Sequence, residues 1–125
     1  MKDLIAKLEA ALGGSEALDK DIARSLGFLI AASTGGPHIM RSPAKVGDPS
    51  WDLPKYSRST DAARALVPEG WRFVGLWEAV KPEDRPWWGC QLGRDKPYWM
   101  LPSVLGAKSP AVAICIAALK AREAK

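Results

Sequence analysis

Histidine and cysteine, the residues that most often bind metals or act as nucleophiles, are scarce in this chain of 125 residues. The sequence has one histidine, His38, and two cysteines, Cys90 and Cys115, that lie far apart. It contains no CxxC pair and no metal-ligand spacing, which argues against a zinc ribbon and a disulfide framework. We expect two isolated buried thiols, no metal, no cofactor and no enzymatic activity.

Long apolar runs are also missing. The N-terminal segment MKDLIAKLEAAL carries a charge every few residues and lacks the apolar centre of a signal peptide. The longest apolar run, Ala111 to Leu119, is far short of the roughly 20 residues that span a bilayer. Acidic residues are interspersed among the basic ones that give the net charge of +4, which favours a solvated surface over a nucleic-acid-binding stripe. We therefore expect a cytoplasmic protein that binds neither membrane nor nucleic acid.

Both ends of the chain show helical patterns. Apolar residues at helical spacing predict a first helix before the double glycine at 13–14. A second helix is expected after Ser15, whose hydroxyl can cap it. Near the C-terminus, Ser109 can cap a helix that has Pro110 in its first turn. The run from Ala111 to Leu119 is apolar all round, so this last helix should be buried.

Glycine and proline crowd the stretch from Ser33 to Pro54, which predicts neither a helix nor a central strand. The segment from Ser33 to His38 has glycines suited to a phosphate-binding loop, but it lacks the lysine and spacing of a P-loop, so a flexible loop is favoured. We therefore expect one domain spanning residues 1–125, with an irregular insertion at about 33–50.

The second half of the chain predicts a short helix and three strands. The helix is expected at Asp61 to Val67. The strands are expected at Trp71 to Ala79, Trp87 to Leu92 and Tyr98 to Leu101, joined by short turns as an antiparallel meander. Alternation places four residues of the first strand on one face, namely Trp71, Phe73, Gly75 and Trp77. The predicted fold class is α/β (α+β), a three-stranded antiparallel sheet sandwiched between helices in the order α-α-(long loop)-α-β-β-β-α.

Tryptophan is abundant. The chain has six, namely Trp51, Trp71, Trp77, Trp87, Trp88 and Trp99. Most are expected in the core, because a large aromatic side chain needs apolar contact. All six do not fit easily in a core this small, and the adjacent Trp87 and Trp88 should point to opposite faces of a strand. One or two should therefore reach a surface, a pocket or a subunit interface, where tryptophan can stack on a base or anchor a protein partner.

A polar cluster precedes the predicted third helix. It runs from Tyr56 to Asp61, and Arg64 follows one turn later. A helix N-terminus attracts anions, and the two arginines could add charge-assisted hydrogen bonds. The alternative is capping chemistry with a solvated helix face. The predicted ligand-binding residues are Trp51, Tyr56, Ser57, Arg58, Ser59, Thr60, Arg64 and Trp88.

Three motifs carry a family resemblance: DLIAKLEAA followed by Gly-Gly-Ser, YSRSTDAARALVPEGW at Tyr56 to Trp71, and SPAVAICIAALKAR at Ser109 to Arg122. Together they resemble the phage ABA-sandwich domain family over about two-thirds of the chain, with Ser33 to Ser50 outside the likeness. The resemblance implies helix–sheet–helix layering and a virus-encoded protein in a bacterial host cytoplasm. It implies no reaction and no catalytic residues.

Two functional hypotheses remain from the sequence. The first is a non-enzymatic phage protein that sequesters a small nucleotide-like host immune signal, with a pocket completed in a homo-oligomer. The second is a protein-interaction inhibitor whose exposed tryptophans bind a host enzyme. A phosphodiesterase ranks third, because one histidine and no motif argue against it.

Overall fold

Helices and antiparallel strands both form in this protein, which confirms the predicted mixed α+β class. The computed structural model describes residues 2–33, 36–41, 50–80, 86–95, 98–101 and 104–123. The helices are α1 (Lys2–Ala10), α2 (Glu16–Ser25), α3 (Thr60–Arg64) and α4 (Pro110–Glu123). The strands are β1 (Phe28–Ser33), β2 (Gly36–Arg41), β3 (Trp51–Asp52), β4 (Trp71–Val80), β5 (Pro86–Asp95), β6 (Tyr98–Met100) and β7 (Val104–Ala107).

Helix α4 lies at the centre of the core, as its all-apolar sequence predicts. Every residue from Ala111 to Leu119 is buried, and the helix packs on α1, α3, β4, β5 and β7. The expected cap is present, because the Ser109 hydroxyl accepts a hydrogen bond from the Val112 N–H at 3.1 Å. Within the described ranges, no helix is long and apolar enough to cross a membrane.

The larger sheet has one more strand than predicted. Strands β4, β5 and β6 form the expected antiparallel meander, and β7 pairs with β5 as well. The sequence does not predict β7, because this strand is only four residues long and contains Gly106, whose φ of 86° falls where strand residues rarely lie. A register irregularity between β5 and β7 occurs at this part of β7.

A bulge in β4 overturns the predicted face of its aromatic residues. Phe73 pairs with Leu92 and Gly75 pairs with Gln91, so Val74 is an extra residue on β4. The bulge reverses the alternation beyond this point. The predicted single face is therefore wrong for this strand. It does not hold all four of the residues assigned to it, namely Trp71, Phe73, Gly75 and Trp77.

The two faces of this sheet carry different aromatic residues. Trp71, Phe73 and Leu76 pack against the core on the side of α4. Trp77 pairs with Gly89 on the opposite face, and its indole lies over this glycine: a Cβ atom at Gly89 would come within 2.5 Å of the ring. The absence of a side chain at Gly89 therefore leaves room for the indole to lie flat on the sheet.

A second sheet, which the sequence did not predict, is built from β1, β2 and β3. Strands β1 and β2 pair from Phe28↔Arg41 to Ser33↔Gly36, so the expected irregular insertion at 33–50 is wrong for β2. Pro37 is tolerated because it is the second residue of β2, beside the turn, where its missing N–H costs little. Residues 34–35 and 42–49, which also belong to the predicted insertion, lie outside the described residues.

Both cysteines are free and buried, as expected. Burial raises the pKa of the Cys90 thiol to about 11 and also raises the pKa of the Cys115 thiol. The Cys115 thiol donates a hydrogen bond to the Tyr56 carbonyl oxygen at 3.0 Å. Both thiols are therefore protonated at neutral pH and are poor nucleophiles.

The double glycine between α1 and α2 provides a test of packing. A Cβ atom at Gly14 would overlap the backbone carbonyl of Ser57, whereas a Cβ at Gly13 would meet nothing within 4 Å. We expect Gly14→Ala to lower the free energy of unfolding by about 2 kcal/mol, because a backbone must move. The matched control Gly13→Ala should change it by less than about 0.5 kcal/mol. Urea unfolding of both variants measures the difference, and equal midpoints would contradict the close approach.

Candidate functional site

A pocket of about 490 Å³ lies where the ends of α2 and α4 meet the start of β4. Its volume is within the range of small-molecule sites. We call it the two-arginine pocket, and it is lined by Ser25, Leu26, Pro68, Glu69, Trp71, Arg94 and Arg122. None of these residues was among the predicted ligand-binding residues.

The aromatic wall of the pocket is Trp71 with Arg94 beside it. The two residues are direct partners in the β4–β5 register, so their side chains leave the same face of the sheet. The Arg94 guanidinium carbon is 5.0 Å from the centroid of the Trp71 ring, which is a cation–π geometry. The backbone N–H of Trp71 donates to the Pro68 carbonyl at 3.1 Å and connects the strand to the preceding turn. These contacts orient an aromatic ring and a positive charge together.

The second arginine comes from the last turn of α4. Arg122 Nε donates a hydrogen bond to the Leu66 carbonyl oxygen at 3.0 Å. This bond orients the guanidinium without involving its two terminal amino groups, which are the groups that bind carboxylates and phosphates in pairs. From the sequence, this arginine could be assigned only to the favourable C-terminal end of a helix.

Hydrogen-bond acceptors complete the lining. The Glu69 carboxylate is exposed at the pocket, and within the described part of the chain it forms no hydrogen bond or ion pair. The Ser25 hydroxyl donates to the Ile22 carbonyl at 2.6 Å, which leaves its oxygen lone pairs as acceptors. The pocket therefore presents two cations, one anion and one aromatic ring to a ligand.

The predicted site residues Ser57 and Arg58 lie elsewhere, against the wholly buried Asp19 of α2. Asp19 Oδ1 accepts hydrogen bonds from the Ser57 N–H at 2.7 Å and the Ser57 hydroxyl at 2.5 Å. Arg58 Nε donates to Asp19 Oδ2 at 2.8 Å. We call this cluster of Asp19, Ser57 and Arg58 the Asp19 joint. Its hydrogen bonds connect α2 to the segment that precedes α3.

Most of the remaining residues of the predicted polar cluster also have structural contacts. Tyr56 is buried, and this burial raises the pKa of its phenol. Ser59 caps α3 by accepting from the Ala62 N–H at 3.4 Å, and Thr60 is exposed at the start of this five-residue helix. The Arg64 guanidinium carbon lies 5.0 Å from the centroid of the Phe73 ring. Helix α3 is therefore held by capping and stacking.

The tryptophans are divided among several environments. Trp51 of β3 is 44% exposed, and Trp88 is half-buried against the core. Neither of these two predicted site residues lines the two-arginine pocket or a second pocket of about 220 Å³ that Arg58 borders. The side chains of Trp87 and Trp99 lie outside the described part of the structure, and so does the predicted opposition of Trp87 and Trp88.

The Asp19 joint can be tested by removing its charge. Asp19→Asn would leave Arg58 without its buried partner and would replace one acceptor oxygen by an amide group. We expect the free energy of unfolding to fall by about 2–4 kcal/mol. The control Asp21→Asn lies on the same helix, where the carboxylate pairs with Lys7 and Arg24 at 3.4 Å near the surface. That change should cost less than about 1 kcal/mol by urea unfolding, and similar costs would show that the joint is not structural.

The three motifs that suggested a family now have places in the fold. One covers α1, one runs from the Asp19 joint to Trp71, and one forms α4. Their positions alone do not identify a reaction. Comparison of the chain with protein-family models, with curated proteins and with solved structures gives no significant match, so membership of the phage ABA-sandwich family stays a prediction.

Proposed function

We propose that this protein binds a small nucleotide-like anion in the two-arginine pocket and sequesters it without converting it. The observation that carries the proposal is the pairing of Trp71 with Arg94 beside Arg122 in one pocket. An aromatic ring stacks on a base, and guanidinium groups bind phosphate oxygens. A ligand with both a planar ring and an anionic group matches this lining better than a purely apolar one.

The pocket chemistry supports binding without catalysis. No cysteine or histidine is among the described lining residues. The Ser25 hydroxyl gives its proton to a backbone carbonyl, whereas an activated serine nucleophile gives it to a general base. The protein would therefore act by lowering the free concentration of the ligand.

The family resemblance supplies a biological setting for this proposal. A phage protein that sequesters a nucleotide-like signal would act against host immunity in the bacterial cytoplasm. The helix–sheet–helix layering and the homo-oligomer expected from the sequence belong to the same proposal. Thermal unfolding against cyclic and ADP-ribose-derived nucleotides tests the binding, because a ligand of the native state raises the melting temperature.

The arginines provide the sharpest test of the site. For a nucleotide that stabilises the protein, we expect Arg94→Gln and Arg122→Gln each to weaken binding at least tenfold, or about 1.4 kcal/mol, because each removes a charge-assisted hydrogen bond. The matched control is Lys120→Gln, since Lys120 lies on α4 but does not line the pocket. Isothermal titration calorimetry measures the affinities.

Folding must be separated from binding in this test, because Arg122 also bonds the Leu66 carbonyl. The melting temperature of each variant without nucleotide provides that check. Unchanged affinity in a folded Arg94→Gln or Arg122→Gln protein would contradict the assigned site. Absence of stabilisation by every nucleotide, in a folded wild-type sample, would contradict the proposed function.

The exposure of Trp51 supports the second candidate, a protein-interaction inhibitor. Trp51 is on β3, an edge strand of the smaller sheet, and is 44% exposed. Exposed tryptophans are frequent anchors at protein interfaces. If this candidate holds, Trp51→Ala should abolish capture of a host protein from lysate, and the control Leu29→Ala should not. Equal capture by the two variants would argue against Trp51 as the anchor.

A further inference from the structure

We infer that the two-arginine pocket selects nucleotides that carry no more than about two negative charges, and that Glu69 is the residue that sets this limit. The inference rests on the proposed function and narrows its ligand class. It follows from the balance of charge in the pocket, from the acceptors in its lining and from the helix ends that meet there.

The first step is the charge of the lining. Arg94 and Arg122 supply two positive charges, and Glu69 supplies one negative charge. Arginine stays protonated at all relevant pH values. The net charge of these three side chains is therefore +1. A cyclic monophosphate brings about one negative charge and is neutralised, and a nucleoside monophosphate brings about two and leaves an excess of about one. Each further phosphate adds charge with no further cation among the described lining residues.

The second step is the polarity of the helix ends. Helix α2 ends at Ser25, and Arg122 belongs to the last turn of α4, so both helices bring C-terminal ends to the pocket. The C-terminal end of a helix carries partial negative charge. The arrangement is the opposite of a polyphosphate site, in which a helix N-terminus faces the phosphates. A third or fourth negative charge would therefore meet repulsion from Glu69 and from both helix ends.

The third step concerns what Glu69 recognises. An ionised carboxylate is an acceptor only, and within the described residues this one has no partner. A ligand that covers this exposed carboxylate must give it a hydrogen-bond donor or leave it desolvated at a cost. Adenosine nucleotides have two kinds of donor for this purpose, the ribose hydroxyls and the exocyclic amino group of the base.

The test compares ligands that share adenosine and differ in charge, namely AMP, ADP, ATP and ADP-ribose. ADP-ribose and ADP both contain two phosphates, but the terminal phosphate of ADP carries about one more charge. We expect AMP and ADP-ribose each to bind at least tenfold more tightly than ATP, and ADP-ribose more tightly than ADP. Calorimetry at constant ionic strength measures these affinities without magnesium.

Glu69→Gln keeps the size of the side chain and removes its charge. In this variant the preference for AMP over ATP should shrink at least fivefold. The control Glu78→Gln removes an exposed carboxylate from β4 outside the pocket and should leave the preference unchanged. Dideoxy-AMP and inosine monophosphate then distinguish a ribose hydroxyl from an amino group as the donor, because the first lacks both ribose hydroxyls and the second lacks the amino group.

The outcomes separate the inference from the function on which it rests. If neither the four nucleotides nor any cyclic nucleotide binds the folded wild-type protein, the proposed function is overturned, and the inference with it. If a cyclic nucleotide binds but AMP and ADP-ribose do not, the inference is overturned while nucleotide binding stands. If ATP or ADP binds as tightly as AMP, the charge limit is overturned while nucleotide binding stands. If the preference is present but unchanged in Glu69→Gln, the role of Glu69 is overturned.

Discussion

The burial of helix α4 is the interaction on which the rest of the structure depends. Its residues from Ala111 to Leu119 are buried among α1, α3 and three strands of the larger sheet. Full burial of a single Ile or Leu side chain contributes about 1.5–3 kcal/mol, so this helix accounts for a large share of the favourable free energy of folding. Its small residues allow close packing, and its last turn brings Arg122 to the two-arginine pocket.

The bulge at Val74 also affects which side chains meet at the two-arginine pocket. If Val74 were a regular strand residue instead of a bulge, alternation would place Trp71 and Trp77 on the same face of β4. The bulge keeps Trp71 beside Arg94 on the core side and sends Trp77 to the opposite face over Gly89. The bulge therefore places the tryptophan of the pocket wall and the tryptophan of the outer face on opposite sides of the sheet.

The Asp19 joint shows how a polar cluster can serve the fold. Ser57 and Arg58 form the densest polar motif of the sequence, yet their hydrogen bonds go to a buried carboxylate. A buried charge is costly unless it is fully hydrogen-bonded, and three donors satisfy Asp19. Ser57 and Arg58 therefore bind the buried Asp19, although the sequence predicts that they bind a ligand. The two-arginine pocket is formed by other residues, from distant parts of the chain.

The sequence by itself determined the local features: the capped helices α2 and α4, the buried cysteines, and the strands β4 to β6. These follow from short-range spacing, from caps such as Ser15 and Ser109, and from apolar runs. Only the tertiary structure decided the second sheet, the bulge at Val74 and the meeting of Trp71 with Arg94 and Arg122. Strand pairing and pocket formation join residues that are distant in the sequence, as far apart as Ser25 and Arg122, which are 97 positions apart. No local pattern records such contacts.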